Sequence, residues 1–431
     1  MKILISFSLL SLLLLSCVTQ KPKTSQVQKW IDSTQIENNS FVGIKIFDPK
    51  TNEVIFSKNE KRYFVPASNT KILSLYASLK NLGDSIPALK YALKNDSLFV
   101  SGTADPTFLN PDLPKSKTYD FLKNSTAKTI VFSDANFKNE VYGSGWAWDD
   151  FNDYYQVELN SFPIYGNIVR FKKANSKLSI NPSVFSDSLL SSQNSFSEIK
   201  RKINENVFYT NTKIYQKPDF EQDIPFKTSS ALFQKLLSDT LKKEITIGSF
   251  MPNKEFKTLY SLPVDTVFRR MMQVSDNMLA EQLLLLAGGK YSDTISTSLA
   301  IKNIQTDLLV DIPQKFNWVD GSGLSRYNLL TPEGLVFLLD RMLKEFPKER
   351  IFSLMSVGGQ VGTLKNAYKS GVPFVFAKTG SLSGVYNQSG YLITKSGRLL
   401  IFSFMNNNFV GSTSRIRIKT SEIITLLHEN Y

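Results

Sequence analysis

Val65-Pro66-Ala67-Ser68-Asn69-Thr70-Lys71 opens a run in which Ile72, Leu73, Leu75, Tyr76, Leu79 and Leu82 recur at helical spacing before Gly83. That periodicity predicts a buried helix with Ser68 at its start and Lys71 one turn along. Upstream, Phe41 to Asp48 and Glu53 to Ser57 have strand character on either side of a turn at Pro49 to Asn52, which predicts a hairpin. A charged connector, Lys58 to Arg62, joins hairpin and helix.

Downstream the composition changes. From about Tyr91 to Thr246 the chain is rich in Ser, Asn, Asp and Lys, with short strand-like runs at Ser97 to Val100, Thr129 to Phe132, Asn167 to Phe171 and Lys177 to Ile180. This reads as an inserted, mostly β region. Helical periodicity returns near Asp265, breaks at Ser275-Asp276-Asn277 and resumes through Leu279, Leu283, Leu284 and Leu286. Val372 to Ala377, Gly390 to Thr394 and Leu399 to Met405 then read as strands, and Ser414 to Leu427 as a closing amphipathic helix. Bringing the two ends together predicts an α+β domain: one five-stranded antiparallel sheet with helices packed on it.

Bulk properties narrow the chemistry. At 431 residues and 42% hydrophobic content the chain can build two or three domains with sizeable cores. The net charge of +13 comes from scattered lysines, with no basic stripe carrying interleaved aromatics, so no nucleic-acid partner is expected. The single histidine, His428, lies three residues from the end. A Ser-His-Asp hydrolase and a His-ligated metal site are therefore disfavoured, and neither metal nor cofactor is expected. Any nucleophilic serine needs another base. Met1 and Lys2 precede an apolar run from Ile3 to Leu15 that reads as a secretory signal over residues 1–16. Its Leu-Leu-Ser-Cys ending resembles a bacterial lipoprotein signal, so Cys17, the only cysteine, is expected to carry lipid and anchor the protein to a membrane of the cell envelope or periplasm. A polar linker through about Lys29 follows.

The chemistry-bearing patterns are three. Ser68-x-x-Lys71 puts a hydroxyl and an amine on one face of a helical turn. Burial and the positive end of the helix dipole both disfavour an ammonium, so Lys71 can be neutral enough to take the serine proton. Ser275-Asp276-Asn277, at a junction of helices, offers a hydroxyl to relay a proton and an amide to hold a carbonyl and the lysine. Lys378-Thr379-Gly380, at the end of the Val372 to Ala377 strand, offers a charge and a hydroxyl for a substrate carboxylate and a backbone that can be approached closely. Each has competitors: Ser125 to Lys128, Ser197 to Lys200, Ser192-Gln193-Asn194, Lys369-Ser370-Gly371 and Lys395-Ser396-Gly397. Their contexts read as surface or turn.

In this order the three form the set of penicillin-binding proteins and class A β-lactamases. Pro66 to Lys71, Val274 to Asn277, Asp320-Gly321-Ser322-Gly323-Leu324-Ser325-Arg326 and Ala377 to Gly380 resemble the D-alanyl-D-alanine carboxypeptidase/endopeptidase family, the class C low-molecular-mass penicillin-binding proteins. Gly102 to Thr107 and Gly145-Trp146-Ala147-Trp148-Asp149-Asp150 with Tyr154-Tyr155 extend the likeness into the insertion, which is far longer than a β-lactamase carries between Ser68 and Ser275. The resemblance implies a catalytic penicillin-binding domain over 30–90 and 247–431 and a two-domain insertion over 91–246, one domain nested at about 172–230. It implies peptidoglycan stem peptides as substrates and β-lactams as inhibitors. It implies Ser68, Lys71, Ser275, Asn277 and Lys378 as catalytic, and Thr379, Gly380, Ser381, Asp150 and Arg326 as substrate-binding, the last pair around the amino-acid end of a diaminopimelate side chain. Two other readings remain at this point: a β-lactamase-like esterase or amidase with the same serine and lysine, and a non-catalytic penicillin-binding sensor.

Overall fold

In the computed structural model, which describes residues 24–174, 177–192 and 198–431, both ends of the chain meet in one antiparallel sheet. β1 (Phe41–Asp48) and β2 (Glu53–Lys58) form the expected hairpin, and β3 (Ser356–Val357), β4 (Val375–Leu382), β5 (Val385–Ile393) and β6 (Leu399–Asn407) complete a sheet of order β3-β4-β5-β6-β1-β2. Phe41 pairs with Asn407 and Phe47 with Ile401, so the first and last strands lie side by side. The five anticipated strands gain a sixth, the two-residue β3, too short to show a pattern of its own. The signal segment and Cys17 lie outside the described residues.

Period-two alternation explains why helices cover both faces. Leu400, Phe402 and Phe404 of β6 point into one apolar layer, and Ile401 and Met405 into the other. The first layer is roofed by α1 (Thr24–Thr34) and α6 (Thr413–Asn430), which pack on each other. α1 corrects the expected linker: Val27, Ile31 and Thr34 line one helical face, and burying that face holds the segment in a helix. The second layer holds α2 (Lys71–Asn81), α3 (Val264–Gln273), α4 (Asn277–Gly288) and α5 (Pro332–Glu345). α2 and α4 pack against each other, and α5 lies on β6 and β1. α4 is buried nearly all round, so each of its leucines contributes about 2 kcal/mol of apolar burial.

The insertion has its own core. Its largest sheet has five strands in the order Glu244–Ile247, Thr129–Ser133, Ser97–Gly102, Ser85–Lys94 and Lys257–Pro263, the first three parallel and the last two antiparallel to their neighbours. Positions 91 and 246 therefore fall inside strands, and this sheet extends beyond the expected 91–246 at both ends. The change in composition near Tyr91 falls inside Ser85–Lys94, which becomes exposed only at Leu93 and Lys94. Two three-stranded sheets lie within this segment, one of Glu221–Pro225, Ile168–Ala174 and Lys177–Asn181, the other of Leu189–Ser191, Phe208–Thr210 and Lys200–Arg201.

Candidate active site

Pro66 precedes a single 3-10 turn, Ala67–Thr70, before α2 begins at Lys71. Side chains three apart eclipse in that geometry, which stacks Ser68 over Lys71 more directly than an α-helical turn does. Ala67 takes the left-handed region at φ 47°, and the Thr70 hydroxyl fixes it by donating to the Ala67 carbonyl at 3.0 Å. The sheet grips both ends of the turn: Val65 donates its N–H to Asn407 Oδ1 at 2.7 Å, Asn387 Nδ2 donates to the Val65 carbonyl at 2.9 Å, and Asn69 Nδ2 donates to Ser389 Oγ at 2.9 Å.

Lys71 is fully buried. Its Nζ lies 3.0 Å from Ser68 Oγ, 2.6 Å from Asn277 Oδ1 and 2.8 Å from the Ser322 carbonyl. Two of these neighbours can only accept, so a neutral amine gives its two hydrogens to them and turns its lone pair to the serine hydroxyl. Burial draws Lys71 down to about 8, while the charges of Glu281, Asp320 and Asp276 oppose the fall.

The α3–α4 junction places the second group. Ser275 sits in the left-handed region at φ 65°, and Asp276 caps α4 by accepting from the Leu279 N–H at 3.1 Å. Asn277 is then the first residue of α4, its Oδ1 on Lys71 and its Nδ2 donating to the Tyr155 carbonyl of the insertion at 3.1 Å. One of its two amide hydrogens is thus already engaged.

Lys378, Thr379, Gly380 and Ser381 all lie within β4, not beyond its end; the strand starts at Val375 rather than Val372 and continues through the motif because every residue to Leu382 pairs with β5. Lys378 is fully buried and donates to Ser275 Oγ at 2.9 Å and to the Thr379 carbonyl at 2.7 Å. Burial pushes its amine well below the ordinary lysine range, and the Lys71 charge adds to the fall. A Cβ on Gly380 would come 2.6 Å from the Pro66 carbonyl and 3.0 Å from the Ser68 nitrogen, so glycine is what lets β4 lie on the turn that carries Ser68. Ser381 is exposed and pairs with Tyr386. The Thr379 hydroxyl donates to Thr363 Oγ1 at 2.8 Å, and Thr363 meets Ser356 Oγ at 3.1 Å.

Ser68, Lys71, Ser275, Asn277 and Lys378 are therefore brought together. Asp150 and Arg326 have partners of their own. Asp150 lies half-buried on the turn Trp148–Asn152; burial raises its carboxyl, which the Tyr155 hydroxyl bond opposes and the charges of Asp153 and Asp149 reinforce. Arg326 is exposed and donates from Nη2 to the Ser383 carbonyl at 2.8 Å. His428 is remote from this cluster by its partners: it stacks on Phe374 with ring centroids 3.8 Å apart, and its Nδ1 is 2.7 Å from the Ile393 carbonyl. Among the competing patterns, Lys128 pairs with Asp96 on the surface and Ser396 donates to the Tyr431 carbonyl in a turn. Gln193, Asn194 and Ser197 lie outside the described residues.

The three patterns did not point to Glu281. It is 1% exposed on α4 and accepts from the Gly321 N–H at 2.9 Å and the Ser322 N–H at 2.7 Å. A lone carboxylate within Met278 to Leu286, otherwise apolar but for Gln282, was the available signal. Asp320 braces the same loop, accepting from the N–H groups of Gly323 at 2.8 Å and Ser325 at 2.6 Å and from Trp146 Nε1 at 2.9 Å. Gly323, at φ 81°, abuts the Ala67 carbonyl so closely that no Cβ fits.

Residues 24–428 match the D-Ala-D-Ala carboxypeptidase 3 (S13) family. The chain is 24% identical to D-alanyl-D-alanine carboxypeptidase DacB of Haemophilus influenzae, over 90% of each chain. It is 25% identical to penicillin-sensitive carboxypeptidase A of Dictyostelium discoideum, over 89% of this chain and 85% of that one. The crystal structure of penicillin binding protein 4 (dacB) from Haemophilus influenzae superposes with a TM-score of 0.75 at 21% identity, covering 93% of this chain and 98% of the other, a shared fold.

Proposed function

We propose, from the premise that this chain belongs to the D-Ala-D-Ala carboxypeptidase 3 (S13) family, that Ser68 is the nucleophile of a serine-type D-Ala-D-Ala carboxypeptidase and Lys71 its base. The observation that carries the assignment is the buried Lys71 amine 3.0 Å from Ser68 Oγ, with two carbonyl acceptors on its other sides. Lys71 takes the hydroxyl proton as Ser68 Oγ bonds to the carbonyl carbon of the penultimate D-alanine of a stem peptide. The N–H groups of Ser68 and Ser381 hold the resulting oxyanion. As the C–N bond breaks, the proton passes from Lys71 through the Ser275 hydroxyl to the departing amine, which leaves as D-alanine. Water then attacks the ester, the Oγ–C bond breaks and Ser68 regains a proton. Lys378 and Thr379 face the terminal carboxylate, and Gly380 keeps β4 close to the ester.

The same acylation with a β-lactam leaves the departing amine tethered in the adduct, so penicillins act as inhibitors. An amine leaving group from a cross-link satisfies the same steps, which extends the activity to endopeptidase cleavage. Asp150 and Arg326 then flank the diaminopimelate end of the stem peptide, one acceptor and one cationic donor for a zwitterion. A lipid on Cys17 after removal of residues 1–16 holds the enzyme at a membrane of the cell envelope. No helix of the described residues is long and apolar enough to cross one.

Release of D-alanine from a pentapeptide muropeptide, followed by mass spectrometry, tests the activity. The reading predicts release by the wild type and loss of both release and penicillin labelling in Ser68→Ala. Labelling that survives in Ser68→Ala contradicts the nucleophile. Rapid nitrocefin turnover without any D-alanine release would point instead to a β-lactamase-like esterase or amidase, and labelling with no turnover of any substrate to a sensor.

A further inference from the structure

We infer that Glu281 is a positioning residue for the reaction: by gripping the Gly321 and Ser322 amides it holds the Ser322 carbonyl on Lys71, and its negative charge sets how readily that amine gives up a proton. The inference rests on the reading of Lys71 as base. The geometry is continuous. Each oxygen of Glu281 takes one backbone N–H of the loop, and the carbonyl of Ser322 sits 2.8 Å from Lys71 Nζ. The Ser74 hydroxyl of α2 donates to the Gly321 carbonyl at 2.6 Å, so the loop is clamped from both helices that flank the lysine. A carboxylate meets two N–H donors with acceptor-only oxygens, whereas an amide or a carboxylic acid turns a hydrogen towards one of them.

Four groups face Lys71 from the elements packed around it. Glu281 comes from α4, Asp276 from the α3–α4 junction, Asp320 from the loop before Arg326, and Lys378 from β4. The three carboxylates favour the ammonium, Glu281 the most, and the Lys71 charge in turn holds the Lys378 amine down. Burial and the Asp320 charge push the Glu281 carboxyl up to about 8, against its N–H donors and the Ser322 hydroxyl, so it titrates over the same range as Lys71 and its charge acts on the upper part of that range. A buried carboxylate that served packing alone would be replaceable by an isostere without moving the titration of its neighbour. A charge that tunes Lys71 would not.

The test is the second-order rate of acylation by a fluorescent penicillin between pH 5.5 and 10, for the wild-type protein, Glu281→Gln and Glu281→Asp. The wild type is expected to show an acid limb with its midpoint near 8, the value to which burial brings Lys71. Glu281→Gln removes a charge that favours the ammonium where Glu281 is ionised; because that carboxyl is itself only partly ionised near 8, the limb moves to lower pH by about half a unit, about a threefold larger share of the plateau rate on its lower part. Glu281→Asp keeps the charge and withdraws the grip, so the limb stays while the plateau falls by about tenfold, the size of effect expected when a base is displaced from its partner. An unmoved limb in Glu281→Gln, or a full plateau in Glu281→Asp, overturns the inference while leaving Lys71 as base. Should Glu281→Gln lack a cooperative melt, the Glu281→Asp plateau decides alone. A wild type with no limb in this range removes the base reading itself and this inference with it.

Discussion

Lys71 and Lys378 are both fully buried and each holds a serine hydroxyl, at 3.0 and 2.9 Å, yet their surroundings differ in kind. Lys71 has carboxylates around it, and burial brings its amine only to about 8. On Lys378, burial and the Lys71 charge act in the same direction, and no carboxylate of the described residues opposes them. The difference assigns the roles. An amine that titrates near the working pH can take and return a proton. An amine starved of negative charge is set to receive it from a ligand, and the terminal carboxylate of the substrate supplies it.

The sharpest way to break this comparison is to truncate each lysine. Lys71→Met is expected to lower acylation by penicillin about 10³-fold across the pH range, within the usual contribution of a general base. Lys378→Met is expected to lower kcat/KM about 10²-fold for peptides ending in a free carboxylate, mostly through KM, since a buried charge partner is lost. A C-terminal amide analogue should lose much less. Equal losses on both ligands in both variants would erase the distinction.

A subtler measurement sharpens it. Calorimetric titration with a carboxylate-ended stem peptide at several pH values, repeated in buffers of different ionisation enthalpy, is expected to show net proton uptake, because the carboxylate raises the proton affinity of Lys378. The amide-ended analogue should show none. The sign follows from the direction of the shift: burial lowers the proton affinity of Lys378, and an arriving carboxylate raises it again, so binding can only draw protons in.

Gly380→Ala tests the contact between the two lysine regions. The added methyl meets backbone atoms of Pro66 and Ser68, which cannot yield as a flexible side chain does. Acylation is expected to fall about tenfold by misplacing Ser68, with folding retained as judged by melting temperature. At the smallest end, Ser125→Ala, in the competing Ser125 to Lys128 pattern, is expected to change stability by no more than about 0.5 kcal/mol and leave acylation unaltered.

Most of what forms the central sheet was readable because β1, β2, α2 and the late strands carry strong periodicity. Where sequence and fold differ, the reasons are physical. β3 has two residues and exists through its pairing with β4. α1 looked like a linker because its apolar positions are few, yet Val27 and Ile31 fall on one buried face. The end of β4 was misplaced because the run Lys378 to Ser381 is polar, and polarity inside a buried strand is what a site looks like. Of the central cluster, the spacing of Ser68 and Lys71 encodes a contact within one turn, whereas Asn277 and Lys378 reach Lys71 and Ser275 only across the fold and are legible through the order of the three patterns. Glu281 and Thr363 were not singled out, since their importance lies in backbone groups and hydroxyls that only the folded chain brings near.

The account depends most directly on the charge of one amine. Proton-detected observation of lysine labelled with carbon-13 at Cε, with the Lys71 signal identified by its absence in Lys71→Arg, reads that charge as pH is varied. A midpoint near 8 is predicted; a signal that stays in its ammonium form to pH 10 would contradict it.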